Sequence, residues 1–85
     1  MLSSAGTEIR EFVSRLVGTI VETPAGIGIN IIESGNMVVV ELSAAKTDIG
    51  KIIGREGRMA QSLRVLLTAL ATKLGKKAVL QIIEK

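Results

Sequence analysis

Residues 51–58 read KIIGREGR. Gly54 and Gly57 enclose Arg55 and Glu56, with Lys51 ahead of them and Arg58 behind. These residue types suit one task, the holding of an anion. Glycine accepts positive φ and has no side chain to keep another backbone away. A helix that starts just after a glycine turn offers unpaired N–H groups and the positive end of its dipole, and both attract phosphate. Lys51, Arg55 and Arg58 add charge around the turn. A phosphodiester backbone laid over residues 54–57 would use all three features. A glycine pair also marks a plain turn between two helices, so the neighbourhood has to decide.

Other chemistries are poorly supplied. The chain has no histidine and no cysteine, which removes the usual general base, the commonest nitrogen ligand for a metal and any thiolate. The carboxylates are scattered, and neither Ser62 nor Thr47 has a histidine to activate it. Gly26-Ile27-Gly28 lacks the third glycine and the following helix of a dinucleotide loop. No enzymatic activity, cofactor or metal is expected. No apolar run approaches the roughly 18 residues of a membrane span. The start, MLSSAGTEIREF, lacks a signal peptide's layout and carries Glu8 and Glu11. A cytoplasmic protein without a membrane partner is expected.

The charge is unevenly spread. Residues 1–42 hold Arg10 and Arg15 against five glutamates, a net of −3; residues 43–85 hold nine Lys/Arg against Asp48, Glu56 and Glu84, a net of +6. The basic half contains the glycine pair and points to a polyanion. The 85 residues allow one small domain, and its core must be aliphatic, since Phe12 is the only aromatic residue.

The elements that must position the loop follow from spacing. Residues 8–22 place Ile9, Phe12, Val13, Leu16 and Ile20 on one helical stripe, with Thr7 as cap and Thr23-Pro24 as the stop. Runs 27–33 and 37–42 read as strands joined at Gly35-Asn36, whose leading glycine suits a type II′ turn. That turn sets Ile32 opposite Val39, Ile31 opposite Val40 and Ile29 opposite Leu42. The core face then carries Ile27, Ile29, Ile31, Val38, Val40 and Leu42; Asn30, Ile32, Met37, Val39 and Glu41 face the other way. Thr47-Asp48 reads as the start of a two-turn helix ending at Ile53. A longer helix from Arg58 to Leu74 would bury Met59, Leu63, Leu66, Leu67, Leu70 and Leu74 and stop at Gly75. Residues 78–83 read as a last strand.

The stretch Ile52-Ile53-Gly54-Arg55-Glu56-Gly57-Arg58-Met59-Ala60, within an α-β-β-α-α-β order, resembles the KH motif in its type II, mostly bacterial arrangement. Asp48-Ile49-Gly50-Lys51 and Gly75-Lys76-Lys77-Ala78-Val79-Leu80 are similar to the small bacterial KhpA-like KH proteins. The resemblance implies an α+β fold, a three-stranded mixed sheet packed on three helices, as one KH domain over residues 1–85. The motif would span about 47–74 and the loop 54–57. It implies single-stranded RNA binding, about four nucleotides clamped against a hydrophobic groove, in an RNA chaperone or post-transcriptional regulator. Lys51, Ile52, Ile53, Gly54, Arg55, Glu56, Gly57 and Arg58 would form the site, and the last strand would supply the groove's other wall. Glu56 puts an acid at the loop tip, and Ala60 stands where many KH domains have isoleucine, which implies a shallower groove. Implied partners are single-stranded RNA, a second copy of the chain, and a larger RNA-binding protein with its own KH domain.

Other readings compete. Helix-hairpin-helix modules also hold phosphate with glycines between helices, but usually two apart rather than three. A helix-turn-helix needs more polar side chains than Gln61, Arg64, Val65, Thr68, Ala69 and Thr72 supply. Val65, Thr68, Ala69 and Thr72 instead offer a small, weakly polar face on which a second helix could pack. A dimerisation module with little RNA binding is the alternative reading.

Overall fold

The first helix, α1, runs Ser4–Gly18 in the computed structural model, which describes residues 2–84. Its cap is Ser3 rather than Thr7. Ser3 Oγ accepts the Gly6 N–H at 3.0 Å and satisfies a free donor of the first turn. A distant partner makes the choice. The Ser3 N–H donates to Glu33 Oε2 at 2.9 Å, and the Ser3 hydroxyl donates to Glu33 Oε1. The helix also ends earlier than Thr23-Pro24 suggests, because the Thr19 hydroxyl donates to the Leu16 carbonyl at 2.7 Å and closes the last turn. Its inward line is Ile9, Val13 and Val17, while Phe12, Leu16 and Ile20 are half-buried flanks.

Strand β1 (Gly28–Ser34) and strand β2 (Met37–Ala44) form the expected hairpin, with Ile32 opposite Val39, Ile31 opposite Val40 and Ile29 opposite Leu42. Gly35 has φ +60° and Asn36 does not take positive φ, the sign pattern of a type II′ turn. Strand β3 (Lys77–Glu84) lies parallel to β2, from Met37 beside Lys77 to Ala44 beside Glu84. The sheet order is β1-β2-β3. Ile31, Val38, Val40, Leu42 and Leu80 fill the core against the helices; Asn30 and Ile32 are exposed on the opposite face. Each of the large aliphatic side chains contributes about 1.5–3 kcal/mol by leaving water.

Helices α2 (Lys46–Ile53) and α3 (Arg58–Lys73) connect β2 to β3. Three helices packed on one face of a three-stranded mixed sheet give the type II KH arrangement that the resemblance implies. Thr47 does not cap α2; Ala45 stands at that position and makes no side-chain cap. The buried line of α3 is Ala60, Leu63, Leu67 and Ala71, with Leu70 and Leu74 half-buried and Met59 and Leu66 exposed. Met59 and Leu66, seven residues apart, share a side of the helix one position ahead of Ala60 and Leu67 and so point away from the buried line. Past α3, Gly75 takes φ +74° and donates to the Thr72 carbonyl, while Lys76 donates to the Ala71 carbonyl. Those two bonds make a Schellman stop at the expected glycine.

Candidate nucleic-acid interface

The loop is built from its two ends. α2 ends where the Gly54 N–H donates to the Gly50 carbonyl at 2.9 Å. Residues Arg55–Gly57 then make one 3₁₀ turn, closed by the Gly57 N–H on the Gly54 carbonyl at 3.2 Å. Three of the four loop residues take positive φ: Gly54 at +76°, Glu56 at +56° and Gly57 at +74°. The backbone therefore reverses within four residues and sets α3 running away from the loop.

The two glycines serve different ends. A Cβ on Gly54 would lie 2.6 Å from Met59 Cβ and 2.9 Å from the Met59 nitrogen, so this position is closed by the chain itself. A Cβ on Gly57 would meet nothing within 4 Å. The open approach to the loop is at Gly57, which is also the residue at the cap of α3. No side chain caps that helix, and its first turn holds no acid. The N-terminus of α3 thus keeps its attraction for an anion, with Arg55 and Arg58 exposed beside it.

Next to Gly57 lies a groove of about 400 Å³. Ile49 and Ile53 of α2 line one wall, Ala60 and Arg64 of α3 the floor, and Ile82 and Glu84 of β3 the other wall. The two α2 isoleucines at i and i+4 share one side of the helix. Ile52 faces the other way and is fully buried, so it supports the groove from below and cannot touch a ligand. Lys51 lies outside the groove; its ammonium sits 2.5 Å from Glu22 Oε1 in an exposed ion pair. Glu56 has no ion pair among the described residues and is exposed at the loop tip. Of the eight expected residues, Ile53 and Gly57 line the groove, while Gly54, Arg55, Glu56 and Arg58 form the loop and helix start next to it. Arg64 was not expected there, while Ile82 and Glu84 are the residues by which the last strand supplies the expected other wall. Arg64 follows Ala60 by four residues, and Ile82 and Glu84 alternate along one face of β3, so the spacing carried a signal for both.

Asp48 positions α2. It is 3% exposed, and its Oδ1 and Oδ2 accept the N–H groups of Glu22 and Thr23 at 3.2 and 3.3 Å. The start of α2 is therefore tied to the segment after α1, and the tie fixes the helix whose far end is Gly54. No group of three or more metal-ligating side chains occurs among the described residues. No described helix is long and apolar enough to cross a membrane.

A family model described as "KhpA/KhpB, KH domain" matches residues 10–82. A Chlamydia trachomatis protein named "RNA-binding protein KhpA" is 36% identical over 77 residues, covering 91% of this chain and 99% of its own. Proteins of the same name from Aquifex aeolicus and Borreliella burgdorferi are 36% identical over 76 residues and 37% identical over 79. Those alignments cover 89% and 93% of this chain, and 96% and 95% of the relatives.

Proposed function

Because this chain belongs to the KhpA/KhpB KH-domain family, we propose that it binds single-stranded RNA, the 54–57 loop clamping the sugar-phosphate backbone while the adjoining groove receives bases. The observation that carries the reading is the open left-handed Gly57 at the uncapped start of α3, beside a groove with aliphatic walls. The names of the relatives support RNA as the ligand. Arg55 and Arg58 contact phosphates, and Ile49, Ile53 and Ile82 pack against bases. The activity is binding without catalysis, in the cytoplasm, and serves as an RNA chaperone or post-transcriptional regulator.

Fluorescence anisotropy with short random single-stranded RNA tests this. With about three phosphate contacts, the log–log slope of affinity against salt is near −2, at about −0.7 per contact. The double variant Arg55→Asp, Glu56→Asp puts two acids at the tip and keeps both glycines. Aspartate also tolerates the left-handed backbone of residue 56. Loss of binding with an intact circular dichroism spectrum supports the reading. Equal binding by both proteins would move the RNA site elsewhere, and no binding by wild type would remove RNA as the direct ligand.

A second role rests on α3. Val65 and Leu66 are 59% and 46% exposed on its outer side, beside the small residues Thr68, Ala69 and Thr72. This face pairs with a second copy, or with the KH domain of a larger RNA-binding protein. Sedimentation that finds only monomer at high micromolar protein sinks the homodimer.

A further inference from the structure

The loop leaves much of the basic half unused. Lys73 and Lys77 are exposed where α3 ends and β3 begins, with Lys76 between them. They lie at the far end of β3 from Glu84, roughly 23 Å away at about 3.3 Å per residue. The space between is not flat. A second crevice of about 210 Å³ runs between α3 and β3, lined by Arg64, Leu67, Thr68, Ala78, Val79 and Leu80. Arg64 lines both this crevice and the groove, so the two meet at its side chain. Along β3 the sequence is groove at residues 82 and 84, crevice at 78–80, then lysines. α3 runs antiparallel to β3, hence along that path, and carries its cations in the matching order, Arg58, Arg64 and Lys73.

Resting on the RNA-binding reading above, we propose that the bound strand continues past the groove, along the α3–β3 crevice, to a second phosphate contact at Lys73 and Lys77. Charge selects this occupant. No carboxylate lines the crevice, and it ends on lysines. β3 has a strand neighbour on one side only, so its other edge presents backbone N–H and C=O groups that base edges can use. Lys76 has a separate task, since its ammonium donates to the Gly35 carbonyl at 3.5 Å. The site therefore spans about twice the four nucleotides that a KH groove holds.

The test compares tetranucleotide and octanucleotide RNAs of one repeated base by anisotropy. Three proteins are titrated: wild type, Lys73→Gln with Lys77→Gln, and Arg10→Gln with Arg15→Gln as a control that removes equal charge from α1. Wild type holds the octamer more tightly than its extra binding registers alone explain. The lysine variant loses roughly five- to tenfold on the octamer, its salt slope flattens by about 1.4, and tetramer binding stays within about twofold. The control variant keeps the wild-type difference between lengths. An equal loss on both lengths, or an equal loss in the control, overturns the extension and leaves the groove standing. Failure of wild type to bind either length removes the RNA reading and the extension together.

Discussion

The two ends of the 54–57 loop share a positive φ and little else. Gly54 combines φ +76° with ψ 176°, a region essentially reserved for glycine, and the chain packs on itself there, with Met59 filling the space a side chain would need. Gly57, at φ +74° and ψ 11°, is left-handed, and a side chain there would meet nothing within 4 Å. One end is fixed, through α2 and Asp48, to the rest of the molecule; the other is left free at the start of α3. A glycine spacing therefore reports two different demands, close packing and access, and only the surroundings tell them apart.

The sharpest break of this contrast is Gly54→Ala. A backbone at φ +76° and ψ 176° costs an alanine about 1–3 kcal/mol, and the clash with Met59 adds about 1–3. A loss of about 3 kcal/mol is expected, a fall in Tm of roughly 15 °C, together with RNA binding. Next is Asp48→Asn, which leaves one buried backbone donor facing an amide NH₂. It should cost about 2 kcal/mol, read as a lower urea midpoint at unchanged m-value. A midpoint equal to wild type would mean that the fixed end does not depend on this anchor. Gly57→Ala meets no atoms, so only strain remains, about 1 kcal/mol. It should melt within roughly 5 °C of wild type yet bind RNA more weakly. Gly57→Asn should recover part of the stability, since asparagine visits the left-handed region more readily.

The smallest effect concerns the end of the molecule away from the loop. Hydrogen bonds from the Ser3 side chain and backbone, with Lys76 nearby, hold the Glu33 carboxyl below its ordinary value of 4.5. A depressed folded value stabilises above the unfolded one, and that contribution is lost as pH falls through the folded value. Wild type should exceed Glu33→Gln in Tm near pH 7, and the gap should narrow and then close as pH falls below 4.5. RNA affinity at neutral pH should be the same for both proteins. A change there would tie α1's cap to the loop and blur the contrast.

The hairpin was legible because alternation and a leading glycine in the turn agree on one register. The helix stop at Gly75 was legible for a similar reason, its signal being local. α1's start was not, because Ser3 is chosen by Glu33, 30 residues away. Asp48 gave no hint of its burial, since its partners are backbone N–H groups that carry no residue identity. The stripe of α3 differs at Met59 and Leu66, because the buried line runs through the alanines at 60 and 71, which hydrophobicity alone does not favour over Met and Leu. The loop residues could be named in advance. Which of them open outward, and which isoleucine is sealed beneath, depended on how α2 is rolled.

The parallel pairing of β3 has a consequence for how the protein comes to be made. Each β3 residue pairs with one 40 positions earlier, across both intervening helices. Closing so long a loop is slow compared with forming a hairpin or a helix. Synthesis runs from the N-terminus, so β3 leaves the ribosome after α1, the hairpin, α2 and α3. A nascent chain that has reached residue 76 already owns its glycine loop and arginines, but not Ile82 or Glu84, and so has no second wall. The groove is then completed in one late step, when the last ladder zips and brings Ile82 and Glu84 opposite Ile49 and Ile53.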